Sequence, residues 1–290
     1  MIFFAPAKLN LYLHITGKRP DGYHLLDSLV AFTDIGDELS VEPADNFSLR
    51  IKGPFAKQLE DRESPENNLV TRMAKQAAAL FQKPLNIQAI LTKNLPLGAG
   101  LGGGSTDAAA MLRALLLHWK IEPDPNTLDE LLLDLGTDLP ACFKSTPLRM
   151  RGIGEKIQSV PPLPAPLFIV LAYPAKHSDT ASVYRNLSSS FIPEIRMPKA
   201  FGTVQDFTGF LQSCGNDLTP GAIKGTPEIS EALDAMERQP GALLTRMSGS
   251  GSSCFSLFEK EEAAQKAASN IARENPSWWV KQGRIAALTV

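Results

Sequence analysis

Five glycines fall within positions 98–104 of the stretch LPLGAGLGGGSTDAA (95–109), and no other feature constrains the chain as much. Before them, Leu85, Ile87, Ala89 and Leu91 alternate with their neighbours as a half-buried strand does. After them, Ala108, Met111, Leu112 and Leu115 recur at helical core spacing over about 105–119. Glycines at such a junction let backbone N–H groups turn inward and approach a ligand that side chains would block. The helix adds unpaired N–H groups and about half a positive charge at its N-terminus. A flexible loop with no ligand is the alternative, but each glycine loses extra backbone entropy on folding. The combination predicts an anion site, and phosphate above all.

Gly98, Gly100 and Gly103 satisfy G-x-G-x-x-G, so a dinucleotide fold comes into view. Such a site wants an acidic residue about 20 positions on, at the end of the next strand. That neighbourhood reads KIEPDPN, a loop. No Lys-Ser or Lys-Thr pair closes the glycine run, so the P-loop pattern fails too.

The 290 residues suffice for one large domain or two modest ones. A net charge of −2 gives no basic field for nucleic acid. No apolar run approaches the ~20 residues of a membrane span, and MIFFAPAKLN is too short and uncharged at its start for a signal peptide. Cys142, Cys214 and Cys254 are odd in number and widely spaced, as reduced thiols of a cytoplasmic protein would be. Neither CxxC nor HExxH occurs, which argues against a dedicated zinc site.

The organisation reads as mixed α and β in two halves. Leu39 and Val41, then Phe47, Leu49 and Ile51, alternate as strands. Residues 64–81 read as a helix with start signals at Ser64 and Pro65 and a face of Leu69, Met73, Ala77 and Leu80. Thr127 and Glu130 have capping-box spacing for a helix that Gly136 ends. Strands are expected at 167–173 and 253–258, and helices from Thr226 to Pro240 and over 259–273. Several early strands lack intervening helices, which argues against a pure doubly wound fold. Four prolines in SVPPLPAP (159–166) mark a connector. The expected domains are 1–158 and 159–290. The stretch 190–212 receives no role.

Three further constellations carry chemistry. In PAKLNLYLHITGKRPDGYHLL (6–26), Lys8 and Asn10 share one face of a strand. Together they could orient a hydroxyl, or they could simply be solvated. Tyr23 and His24 follow an Asp-Gly turn and offer a ring and an imidazole, which suit a base or plain packing. In LGTDLPACF (135–143), Asp138 either accepts a proton from a substrate hydroxyl or caps the next helix. In MSGSGSSCF (247–255), small residues precede a strand, either as a second close approach to substrate or as an ordinary turn.

Taken in order, these segments resemble the GHMP kinases. LPLGAGLGGGSTDAA is similar to their central motif P-x-G-x-G-L-G-S/G-S-S/T, PAKLNL to their first and SGSGSSCF to their third. The DGYH segment, GTDLP and GNDL (215–218) resemble the branch that phosphorylates a cytidine diphosphate-linked methylerythritol on the way to isoprenoid precursors. The resemblance implies an α/β (α+β type) fold. It has a ribosomal-protein-S5-like N-terminal domain that binds ATP, a ferredoxin-like C-terminal domain, and the active site between them. It implies ATP and Mg²⁺, a small-molecule substrate, neither nucleic acid nor membrane, and a cytoplasmic monomer or homodimer.

The resemblance also implies roles. Lys8 and Asp138 are catalytic, Asp138 as general base. Asn10 holds substrate, and Tyr23, His24 and Tyr184 bind the cytosine. Pro96, Leu97, Gly98, Ala99, Gly100, Leu101, Gly102, Gly103, Gly104, Ser105 and Thr106 form the phosphate loop, and Asn67 and Asn68 lie on the adenine side. Gly249, Ser250 and Gly251 approach the substrate's phosphates. The magnesium ligands are not assigned, and Asp107 is read as a cap of its helix. A mevalonate or homoserine kinase would keep the loop and lack DGYH. An oxidoreductase would explain G-x-G-x-x-G alone. A non-catalytic nucleotide-binding module would lack Lys8 or Asp138.

Overall fold

The structure, a computed structural model, describes residues 1–187 and 191–286. Strands β1 (Ile2–Lys18), β2 (His24–Pro43) and β3 (Ser48–Lys52) precede helices α1 (Ala56–Glu60) and α2 (Leu69–Phe81). Strand β4 (Ile87–Thr92) leads through the glycine loop to α3 (Gly103–Trp119), α4 (Pro125–Leu135) and α5 (Leu139–Lys144). Then come β5 (Leu148–Gly152), β6 (Lys156–Ser159), β7 (Phe168–Tyr173), α6 (Thr180–Arg185), α7 (Val204–Gln212), α8 (Thr219–Gly225) and α9 (Glu228–Glu237). The last described elements are β8 (Leu244–Met247), β9 (Cys254–Phe258), α10 (Glu261–Glu274) and β10 (Trp279–Ala286). No helix among the described residues is long and apolar enough to cross a membrane.

The chain forms two compact units that interleave in sequence. The first comprises Met1–Ala7, Gly36–Leu97 and Gly102–Ser145, and the second comprises Lys8–Ile35, Gly98–Leu101 and the chain from Thr146 onward. The two long opening strands each contribute to both.

In the first unit, the end of β2 pairs antiparallel with β4, from Glu38↔Thr92 to Pro43↔Ile87. Strand β3 lies parallel on the other side of β4. Helix α2 packs along α3, which also meets α5. Helix α2 starts at Leu69, later than the Ser64-Pro65 signal predicts. The carbonyl of Ser64 instead accepts N–H bonds from Asn67 and Asn68 in a preceding turn, and the Asn68 side chain caps the helix through the Val70 N–H. The buried face is Val70, Met73, Ala74 and Ala77, whereas Leu80 is 45% exposed. Helix α4 is capped by Asp124, whose carboxylate accepts from the Asn126 and Thr127 N–H groups. Thr127 is therefore already inside the helix, and the expected Thr127–Glu130 box does not form. Pro125 at the first position needs no donor, which lets the helix begin there. Gly136 ends it as expected.

In the second unit, β10, β7, β9 and β8 lie in that order, each antiparallel to the next. The end of β10 reaches β2 at Ile285↔Thr33. Strand β5 pairs with the start of β2 and with β6. Val170, Ala172, Ile229, Met236, Phe258 and Ile271 belong to one buried cluster. Fully burying such a side chain contributes about 1.5–3 kcal/mol each. The stretch left without a role contains α7, started by a capping box between Thr203 and Asp206. Residue 190 of that stretch lies outside the described residues.

A buried ion pair also crosses the second unit. Asp27 on β2 receives Nε and Nη2 of Arg149 on β5, both at 2.7 Å. It further accepts from the Tyr12 hydroxyl at 3.0 Å and the Ile195 N–H at 2.7 Å. Burial pushes the Asp27 carboxyl up, but Arg149 and the Ile195 amide outweigh it and hold the group below its ordinary value.

Candidate active site

The loop alternates glycine with buried apolar residues. Gly98, Gly100 and Gly102 have φ of 59°, 75° and 64°, a region other residues enter only at a cost. Leu97, Ala99 and Leu101 between them are buried. Burial of alternate side chains anchors the loop while the glycines turn its backbone. Gly102 occupies the N-cap of α3, so the first amides of a 17-residue helix open at the loop's end. A helix start of this kind leaves N–H groups without intrahelical partners.

In the second unit the loop tip meets two of the other motifs. The Lys8 N–H donates to the Leu101 carbonyl at 2.8 Å, and the Ser253 N–H donates to the Ala99 carbonyl at 3.0 Å. The Ser248 hydroxyl donates to the Gly100 carbonyl at 2.9 Å, and the Asn10 N–H donates to that hydroxyl at 3.2 Å. Nδ1 of His177 lies 3.1 Å from the Gly98 carbonyl, which requires the tautomer protonated there. Strand β1, the tip and the turn at 247–253 therefore form one cluster. A Cβ on Gly100 would overlap the Ser248 carbonyl oxygen. We expect Gly100→Ala to destabilise the protein by about 1–3 kcal/mol, as a thermal melt would report. A wild-type melt would mean the contact yields freely.

Lys8 and Asn10 are 5% and 4% exposed, so the solvated-face alternative does not hold. The side-chain amide of Asn10 donates to Ser28 Oγ at 2.8 Å, which fixes its orientation. Asn216, in the GNDL segment, escaped assignment in the sequence. Its Nδ2 donates to the carbonyls of Met247 and Gly249 at 2.9 and 2.8 Å and so shapes the Gly249 turn. Ser248 and His177 were missed as well, because their contacts are to backbone carbonyls distant in sequence. The Ser250 hydroxyl meets the Thr180 hydroxyl at 2.8 Å.

The ring residues also gather in this unit. His24 and Tyr184 have ring centroids 5.1 Å apart at a 30° tilt. Tyr23 is 60% exposed. Partial burial, then the charge of Lys18, hold His24 below its ordinary value. Both causes favour the neutral ring, which has one donor and one acceptor.

The first unit carries the remaining residues. Asp138 is half-buried at the N-cap position of α5 and makes no side-chain cap bond to it, so the capping alternative is not its role. Asn67 is exposed. Asn68 caps α2 and gives its amide to Glu63 at 2.8 Å. Beside it opens a cavity of about 340 Å³ lined by Leu49, Ile51, Pro65, Arg50, Glu63 and Asn68, among others. Alternation marks Leu49 and Ile51 as strand residues but carries no sign of a cavity. Thr106 is fully buried. Its hydroxyl turns back to the Gly103 and Gly102 carbonyls, and its N–H bonds Gly102. Asp107 does not cap α3 either; it is buried and paired with Lys93 at 2.7 Å. No group of three His, Cys, Asp or Glu gathers as a metal site among the described residues.

Residues 68–145 match the GHMP kinases N terminal domain, and residues 200–277 match the GHMP kinases C terminal model. The chain belongs to the GHMP kinases, and its mixed α/β fold is theirs. A protein from Rhizobium etli named 4-diphosphocytidyl-2-C-methyl-D-erythritol kinase is 44% identical over 96% of this chain and 92% of its own. One of the same name from Cereibacter sphaeroides is 45% identical over 97% and 98%. A crystal structure titled 4-(cytidine 5'-diphospho)-2C-methyl-D-erythritol kinase superposes with a TM-score of 0.80 at 30% identity, covering 99% of this chain and 100% of that one.

Proposed function

We propose that the chain transfers the γ-phosphoryl group of ATP to the 2-hydroxyl of 4-diphosphocytidyl-2-C-methyl-D-erythritol, a step in isoprenoid precursor synthesis. Full-length similarity to kinases of that name carries this reading. The cluster of Lys8, Asn10 and the loop tip supports it, as does the ring pair of His24 and Tyr184. Phosphoryl transfer asks a protein mainly to align two reactants and steady spread charge.

Mg-ATP is the donor substrate. The glycine-loop amides and the start of α3 hold its phosphates, and the cavity beside Asn68 takes the adenine. Asn10 orients the acceptor, and the ammonium of Lys8 steadies its oxygen as negative charge develops. Asp138 accepts the hydroxyl proton while that oxygen bonds to phosphorus and ADP leaves. A tertiary alcohol is crowded, so alignment counts for more than basicity. His24, Tyr23 and Tyr184 receive the cytosine, and Gly249 to Gly251 approach the diphosphate. We assign the ATP-binding domain to 1–158 and its companion to 159–290. The buried thiols of all three cysteines fit a cytoplasmic setting.

The test is ADP release with Mg-ATP and the cytidylated alcohol, with mevalonate, homoserine and galactose in parallel. Turnover of the cytidylated alcohol alone is expected. Turnover of another alcohol would keep the kinase and discard the cytosine site. In Tyr23→Ala the KM for the cytidylated alcohol should rise well beyond any change in the ATP KM. Equal effects would remove Tyr23 from that site.

A further inference from the structure

A buried ion cluster joins the two stems of the glycine loop. Lys93, 2% exposed, directly follows β4. Its Nζ donates to Asp37 Oδ2 at 2.5 Å and to Asp107 Oδ2 at 2.7 Å. Asp37, on β2, also receives at Oδ1 the N–H groups of Asn94 at 2.5 Å and Leu95 at 2.8 Å. Asp107 lies in the second turn of α3. The chain entering the loop and the helix leaving it are thus held by one lysine. Gly103 belongs to the same packing, because a Cβ there would stand 2.9 Å from Nζ.

Stability alone is a poor account of such a cluster. Burying charges carries a desolvation cost, and apolar residues of similar volume often stabilise as well or better. What the ions supply is direction. Lys93 must point at both carboxylates at once, and Asp37 must also meet two consecutive loop amides. These demands set the spacing of residues 95 and 103, between which the loop hangs. A loop held at its stems loses less freedom when it closes on a ligand.

We propose that Asp37, Lys93 and Asp107 are positioning residues of the nucleotide site, fixing the glycine loop in the form that receives the ATP phosphates. This rests on the reading that the loop holds those phosphates. The cluster works through the loop backbone and touches no reacting atom. Its loss therefore acts on ATP and not on the alcohol.

The experiment measures Mg-ATP binding by calorimetry and the KM of each substrate, on the full chain, with a melt to establish folding. Asp107→Ala is expected to raise the Kd for Mg-ATP about tenfold, as loss of one charge-assisted bond would. The alcohol KM should stay within about twofold. Asp107→Asn, which keeps an acceptor for Lys93, should recover most of the affinity. Should Asp107→Ala not fold, the triple variant Asp37→Asn/Lys93→Met/Asp107→Asn removes all three charges at nearly constant volume, strands none of them, and is expected to show the same ATP defect. A folded variant lacking the link that binds Mg-ATP like wild type overturns the proposal. So does one that raises both KM values alike, since that is loss of structure at large. Wild-type protein that binds no Mg-ATP would instead overturn the assignment of the loop to ATP.

Discussion

Replacing Asp138 by asparagine is expected to lower turnover about a hundredfold or more, with the melting temperature and both KM values near wild type. The amide keeps the size of the carboxylate but loses its charge, one acceptor oxygen and its capacity to take a proton. Because Asp138 makes no cap bond to α5, the substitution removes no helix cap. A fall in kcat at constant KM is the mark of an interaction made in the transition state. Lys8→Ala should cost a similar factor through the loss of a positioned ammonium. Its backbone bond to Leu101 needs no side chain, so the loop tip keeps that anchor. Near-wild-type turnover in either variant would refute that residue's role.

Asp27→Asn is expected to destabilise the protein by about 3–5 kcal/mol, read from urea unfolding. Asp27 is fully buried and Arg149 is 7% exposed, so the variant leaves the guanidinium only the half-exposed carboxylate of Glu194, 3.9 Å away, as counter-charge. The asparagine also turns one acceptor oxygen into a donor facing other donors. The double variant Asp27→Leu/Arg149→Leu should recover much of the loss, because it removes the stranded charge along with its partner. A single variant as stable as wild type would mean that water or a rearrangement compensates Arg149. The pH dependence has a definite sign. The folded-state carboxyl is held below its ordinary 3.8, so its contribution is present above about that pH. It is lost as pH falls through the folded value. The acid limb attributable to Asp27 should be absent from the double variant.

Much of the site is local and therefore readable. A strand, a glycine run and an alanine-rich helix are consecutive in sequence, so the strand–loop–helix unit follows from backbone chemistry over about 20 residues. Helix α10, strand β7 and the Gly136 stop were legible for the same reason: periodicity and punctuation act within one or two turns. Errors arose where two local signals competed. Thr127 and Glu130 have the spacing of a capping box, yet Asp124 followed by Pro125 begins the helix earlier and takes the bonds. Asp107 at the start of α3 suits a helix end by charge. A lysine 14 residues upstream claims it instead.

The sequence by itself therefore determined the glycine loop between strand and helix and the kinase family. Only the tertiary structure decided which groups remain available for chemistry. Burial removed the solvated alternative for Lys8 and Asn10, which a strand pattern alone leaves open. The hydroxyl of Thr106 turned back on its own loop, and Asn216 and Ser248 became the supports of a turn and a loop tip. The ion cluster of Asp37, Lys93 and Asp107 spans 70 positions (37–107) and has no local pattern at all. Hydrogen-bond partners distant along the chain are chosen by the packing of β-strands and helices, and that choice is made by the whole fold at once.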